Sequence, residues 1–176
     1  MKFSVGETTE IPLGDLEERF FRGSLEYWQA KKKNHFAPSW ESIDLMALTP
    51  KVVPFVTVVD VVYDPLDFVY RFWGTGHVHA TGLERTGARV TDHPQGRGQQ
   101  VFAEYNSVFE EQRPIAFSRK LVLPDGKLPL KQISLRMPLT QDGKIVDKII
   151  CVADWFRFRD YWDDSSENLS ALGNKF

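Results

Sequence analysis

The spacing of apolar residues along the chain changes period at Pro50. Between residues 15 and 34, Leu16, Phe20, Tyr27 and Trp28 recur at helical spacing, with Phe21 and Leu25 beside them, and predict an N-terminal helix. Asp15 and Glu18 have the cap-and-third-position spacing of a helix start. Lys31, Lys32 and Lys33 place positive charge at the carbonyl end of the dipole. An apolar stripe this rich must pack on the domain or on a second copy of the helix. Residues 1–14, with Gly, Thr and Pro, read as a flexible leader. From Pro50 the period becomes two: Phe55–Val62 and Phe68–Trp73 read as strands, the second with Phe68, Tyr70 and Phe72 on one face. The turn between them, Tyr63 to Asp67, contains Pro65. Residues 74–98 hold Gly74, Gly76, Gly82, Gly87, Gly96 and Gly98, a density that predicts short helical turns and a flexible flap.

Gln99–Gln112 is a helix with Val101, Phe102, Tyr105, Val108 and Phe109 on its apolar side and Pro114 beyond its end. Three strands follow, Ile115–Leu123, Leu130–Thr140 and Ile145–Trp155, joined by turns that carry Asp125-Gly126 and Asp142-Gly143. Ile133, Leu135, Met137 and Leu139 alternate with Gln132, Ser134 and Arg136, which predicts one buried face and one wet face. Residues 158–176 read as a polar tail. Five antiparallel strands with helices between the second and third make an α+β domain over 35–157. The helices should cover one face of the sheet and enclose a pocket there.

With 176 residues the chain fits a single domain. Aromatic residues reach 13%, enough for a large core or an aromatic-lined cavity. Twenty-two basic residues against 24 acidic ones give a net charge of −2, so no nucleic-acid partner is expected. Cys151, the single cysteine, excludes an internal disulfide. The first residues contain no apolar signal run, and no stretch is long enough to span a membrane, so a cytoplasmic protein with no membrane partner is expected.

Several short motifs in this order resemble the PAS domain, and more closely the short stand-alone bacterial PAS proteins that lack an output domain. They are Leu25-x-Tyr27-Trp28 in the leading helix, Tyr70-Arg71-Phe72-Trp73-Gly74-Thr75 at the second strand, Gly82 with Thr86-Gly87, and Met137-Pro138-Leu139 with Asp142-Gly143. The resemblance covers roughly residues 25–156. It implies a five-stranded sheet of order 2-1-5-4-3, a ligand-sized cavity, and a sensory or adaptor role in signal transduction without catalysis. It implies Arg71, Gly74, Thr75, Gly82, Thr86 and Gly87 as structural motif residues. A homodimer formed through a leading helix is also implied, with Phe20, Phe21, Leu25 and Trp28 as the contact candidates.

His77, His79 and Glu84 have a His-x-His-x4-Glu spacing that could hold a metal, but Gly, Thr and Ala around them do not suit the strand such a site needs. An axial haem ligand would come from His77, His79 or His93, and nothing singles one out; His35 is the fourth histidine. Cys151 falls within the last strand, where it is a small hydrophobe and not a flavin-reactive thiol. No cofactor is required, and neither haem nor flavin is expected. Asp92-His93 lacks an accompanying nucleophile. The ligand-pocket candidates are Tyr70, Phe72, His77, His79, Phe102, Tyr105, Phe109, Phe117, Arg119, Ile133, Leu135 and Met137. Arg119 shares parity with Phe117 and Leu121, and a charge there needs an acidic partner, an exposed edge or an anionic ligand group. The expected partner is a small molecule or a signalling protein. The alternatives are a small α+β isomerase or dehydratase, and a metal-binding protein using His77, His79 and Glu84.

Overall fold

The computed structural model describes residues 4–93, 97–122 and 130–155. Strand β1 (Ser4–Ile11) leads into helix α1 (Arg19–Lys32), followed by β2 (Val56–Val62), β3 (Asp67–Trp73), α2 (Thr75–Thr81), α3 (Gly98–Glu111), β4 (Ile115–Val122), β5 (Leu130–Leu139) and β6 (Lys148–Ala153). Single turns of tighter helix at Leu13–Asp15, Trp40–Ser42, Leu45–Ala47 and Val53–Phe55 carry the chain between the first elements.

The sheet is antiparallel and runs β1-β4-β5-β6-β2-β3. Leaving out β1 and numbering from β2, its order is 2-1-5-4-3, with α2 and α3 in the crossover between the second and third strands. This α+β, PAS-like fold agrees with the expected topology and adds one edge strand. That strand corrects the reading of residues 1–14 as a leader. Ser4–Ile11 pairs with β4, Thr8 opposite Arg119 and Ile11 opposite Ala116, with a register shift between Val5 and Thr8. An edge strand half open to water need not alternate cleanly, so its polar sequence hid it.

Helix α1 starts later than the Asp15 spacing predicts. Asp15 belongs to the turn before it, and Glu18 at the cap position makes no side-chain cap bond. Tertiary burial fixes the helix instead. Phe21 and Trp28 are buried, Phe20 and Leu25 pack beside them, and the Trp28 Nε1–H donates to the Pro138 carbonyl at 2.7 Å. The stripe thus packs on the chain's own sheet. Phe21 and Trp28, expected as dimer contacts, are consumed within the domain.

Both faces of the sheet are covered. One carries Val56, Val58, Ala116, Leu135, Met137, Leu139, Ile150 and Val152 against α1. The other carries Val59, Phe68, Tyr70, Trp73, Ile115, Phe117 and Ile149 against α3. A bulge decides which side Phe72 takes. Val59 pairs with Tyr70 and the adjacent Val58 with Phe72, so Arg71 is an extra residue in β3. Parity shifts there: Trp73 joins Phe68 and Tyr70, whereas Phe72 packs among the α1-side residues. The expected face of Phe68, Tyr70 and Phe72 is corrected accordingly.

Residues 85–90 of the crossover are pinned to β3. Tyr70 N–H donates to Ala88 O (3.0 Å), Gly87 N–H to Tyr70 O (2.7 Å) and Val90 N–H to Phe68 O (2.8 Å), so residues 87–90 line the outer edge of β3. The Arg85 guanidinium accompanies them, donating to Arg89 O at 2.6 Å. Gly76 lets α2 settle on Phe55, because a Cβ there would stand 2.4 Å from the ring.

The last hairpin is wider than its Asp-Gly pair suggests. Leu139 pairs with Lys148, leaving residues 140–147 as an eight-residue loop. Asp142 organises it by accepting from Lys144 N–H (2.8 Å) and Ile145 N–H (3.1 Å), and Gly143 takes φ +72°. The turn expected at Pro124–Lys127 and the tail at 158–176 lie outside the described residues.

Candidate functional site

A cavity of about 60 Å³ lies between the sheet and the crossover helices. A single register line across the sheet forms its floor: Trp73 pairs with Thr57, Thr57 with Cys151, and Cys151 with Arg136. Ser134 and Ala153 supply the next line, and Gln132 with Arg119 the one beyond. Helix α2 contributes His77 and Thr81, and α3 contributes Val101 and Tyr105. Tyr70, His93, Arg97 and Trp155 complete the lining. The β5 positions expected to be wet, Gln132, Ser134 and Arg136, are 4%, 7% and 4% exposed. Strand parity does set them apart from Leu135 and Met137, but α3 covers them, so polarity on this face means a polar interior.

Charge is concentrated at one point of that interior. Glu104 of α3 is buried and bridges two guanidiniums: Arg119 Nη2 donates to Oε1, and Arg136 Nη2 and Nε donate to Oε2, the latter at 3.2 Å. Arg136 also lies over the Tyr105 ring, 3.9 Å from its centroid. Burial by itself would raise the Glu104 carboxyl, yet the charges of Arg119 and Arg136 outweigh it and hold the group below the ordinary carboxylate range. Arg97 is pushed down by burial and by the charge of Arg119. Thr8 of β1 is tied in as well, donating to Glu104 Oε1 at 3.1 Å and accepting from Gln100 Nε2 at 2.6 Å. Arg119 thus has the acidic partner its parity demanded.

His77, Tyr70, Tyr105 and Cys151 are neutral at pH 7. Burial pushes His77 down to about 4. Its Nε2 lies 3.0 Å from the Phe55 carbonyl, which only accepts, so Nε2 carries the proton. Burial pushes Tyr105 up to about 12 and Tyr70 higher still, so both hydroxyls remain available as donors. Burial also raises the Cys151 thiol, opposite to what a reactive thiolate needs.

Of the twelve pocket candidates, Tyr70, His77, Tyr105 and Arg119 come together at the cavity. Phe102, Phe109 and Phe117 pack in the aromatic cluster with Phe68 beside it. Phe72, Ile133, Leu135 and Met137 face α1 instead. His79 is exposed on α2, and Glu84 is exposed and accepts from Thr86 N–H and Oγ1–H. His77, His79 and Glu84 therefore do not converge, and no three metal-ligating side chains do so among the described residues. Arg71 is engaged at the surface with Asp60 at 2.8 Å. Glu104 and Arg136 were missed by sequence reasoning. The available signal was Glu104 sitting inside the apolar stripe Val101, Tyr105, Val108, together with two arginines on strand positions of one parity.

No family model and no curated protein matches this chain. A search of solved structures returns the PAS domain of a protein from Colwellia psychrerythraea, at 16% identity and a TM-score of 0.41, over 63% of this chain and 96% of that one. The PAS-like assignment of fold rests on the strand order and the placement of the crossover helices. No helix among the described residues is long and apolar enough to cross a membrane.

Proposed function

We propose that this chain is a non-catalytic sensory domain that takes a small molecule into the cavity between the sheet and the α2–α3 crossover. One observation carries this reading: polar and charged side chains from four strands and two helices are buried around a volume that side chains leave unfilled. A polar interior of this kind can orient a guest. Catalysis is not part of the reading: burial weakens His77 as a base and Cys151 as a nucleophile.

Strand β5 supplies the route for a signal. Its alternate residues face the cavity through Ser134 and Arg136, and face α1 through Leu135 and Met137. A guest that repositions Arg136 shifts the strand that α1 packs on, and Trp28 is bonded to that strand at Pro138. A ligand moves such an equilibrium only by its differential affinity for the two states.

The test is native mass spectrometry of the protein as purified from cells, followed by a thermal-shift screen against metabolites. A retained small molecule, or stabilisation by a compound, is the expected result. Absence of both would leave a protein-interaction module as the better reading.

A further inference from the structure

We infer that the cavity binds a small organic carboxylate, held by the guanidiniums of Arg119 and Arg136 on the side away from Glu104. The inference rests on the ligand-binding reading above and names its ligand class. Arg119, Glu104 and Arg136 form a cluster of two cations and one anion whose side chains are only 13%, 3% and 5% exposed. Among the described residues this leaves a net positive charge enclosed beside an unfilled volume, a situation that a second anion relieves.

The geometry favours a carboxylate over other anions. Each guanidinium is a planar fork suited to paired oxygens, and Glu104 already shows a carboxylate shared between the two. Arg136 meets Glu104 through Nε and Nη2, so Nη1 lies outside that pair. Trp73, Trp155, Val101 and Ala153 give the cavity apolar walls, which suit a carbon skeleton better than inorganic phosphate. The Tyr70 hydroxyl and Gln132 are further polar groups in the lining.

Size narrows the class. An apolar cavity of about 150 Å³ takes benzene, and this one is about 60 Å³. Benzene has six heavy atoms, so on the same scale this volume takes about three; formate matches it, and acetate needs a small shift of the lining side chains.

The experiment is an NMR and calorimetric titration of the full chain with formate, acetate, their neutral amides and inorganic phosphate. Location is read from the indole N–H signals of Trp73 and Trp155 and the methyl of Ala153. The expected result is saturable shifts at these three with the carboxylates and none with the amides. Arg119→Gln should weaken binding about ten-fold or more, the loss of one charge-assisted hydrogen bond. Arg119→Lys, which keeps the charge but not the fork, should recover only part of that loss, and the wild-type comparison of acid with amide stands even if a variant misfolds. Binding of the amides or of phosphate at the same three probes overturns the carboxylate assignment while leaving the sensory reading intact. Silence at all three with every compound, and with a broader metabolite panel, removes both.

Discussion

The two faces of this sheet are both buried, yet only one of them carries a polar patch within its apolar packing. Toward α1 the strands present Val56, Val58, Leu135, Met137, Ile150 and Val152, each at most 2% exposed. Toward α2 and α3 the intervening residues of the same strands are Thr57, Ser134, Arg136 and Cys151, which are almost as well hidden. The dry face holds the domain together by apolar burial. The other face joins an aromatic cluster around Phe68 to a polar patch held by charge pairing and hydrogen bonds, and that patch borders the cavity. Alternation in a sheet covered on both sides thus separates two interiors, not an interior from water.

The sharpest way to break this contrast is Glu104→Ala. Removing the shared carboxylate strands two buried guanidiniums, and a loss of about 3–5 kcal/mol is expected in urea unfolding. A loss below about 1 kcal/mol would mean that the ion cluster does not support the polar patch. On the dry face, Leu135→Ala should cost about 2–5 kcal/mol through the cavity it leaves. Its neighbour of opposite parity, Ser134→Ala, removes little volume and should cost well under that, so equal effects would erase the distinction.

Acid should act on the cavity side first. His77 is held at about 4 in the fold, against about 6.5 when unfolded. The unfolded chain therefore takes up the proton first, and stability falls as pH drops from about 6.5 to about 4, by about 3 kcal/mol. His77→Gln should flatten that interval of the stability–pH curve. Glu104, with its folded value lowered, contributes stability above the ordinary carboxylate range and loses it as pH falls through the folded value. Its loss therefore follows that of His77 and persists in the His77→Gln variant. A smaller effect than that of Glu104→Ala is expected from Trp28→Phe, which keeps a six-membered aromatic ring but leaves the Pro138 carbonyl without its donor, at about 1–3 kcal/mol.

Much of the fold was legible because periodicity and topology follow from local chemistry. The β-branched runs at β2 and β6, the stripe of α3, and Pro114 beyond its end placed these elements close to where they lie. What escaped depended on partners far away in the chain. Strand β1 has no strong pattern of its own and is fixed by β4 and Gln100. The bulge at Arg71, which sends Phe72 to the α1 side, is a matter of pairing rather than composition. Of the cavity lining, Tyr70, Tyr105 and Arg119 could be placed by parity and helical phase. Glu104 and Arg136 could not, because reading polar positions as wet ones put the charged centre of the cavity on the outside.

Electron density from crystals of the protein purified without added ligand addresses the central claim most directly. The account predicts an occupied volume between Arg136, Trp73 and Trp155, filled by ordered water or a small planar anion within hydrogen-bonding distance of the guanidiniums. Trp73 or Trp155 packed directly onto Arg136, with no space left between them, would contradict it even if every strand stood in its described place.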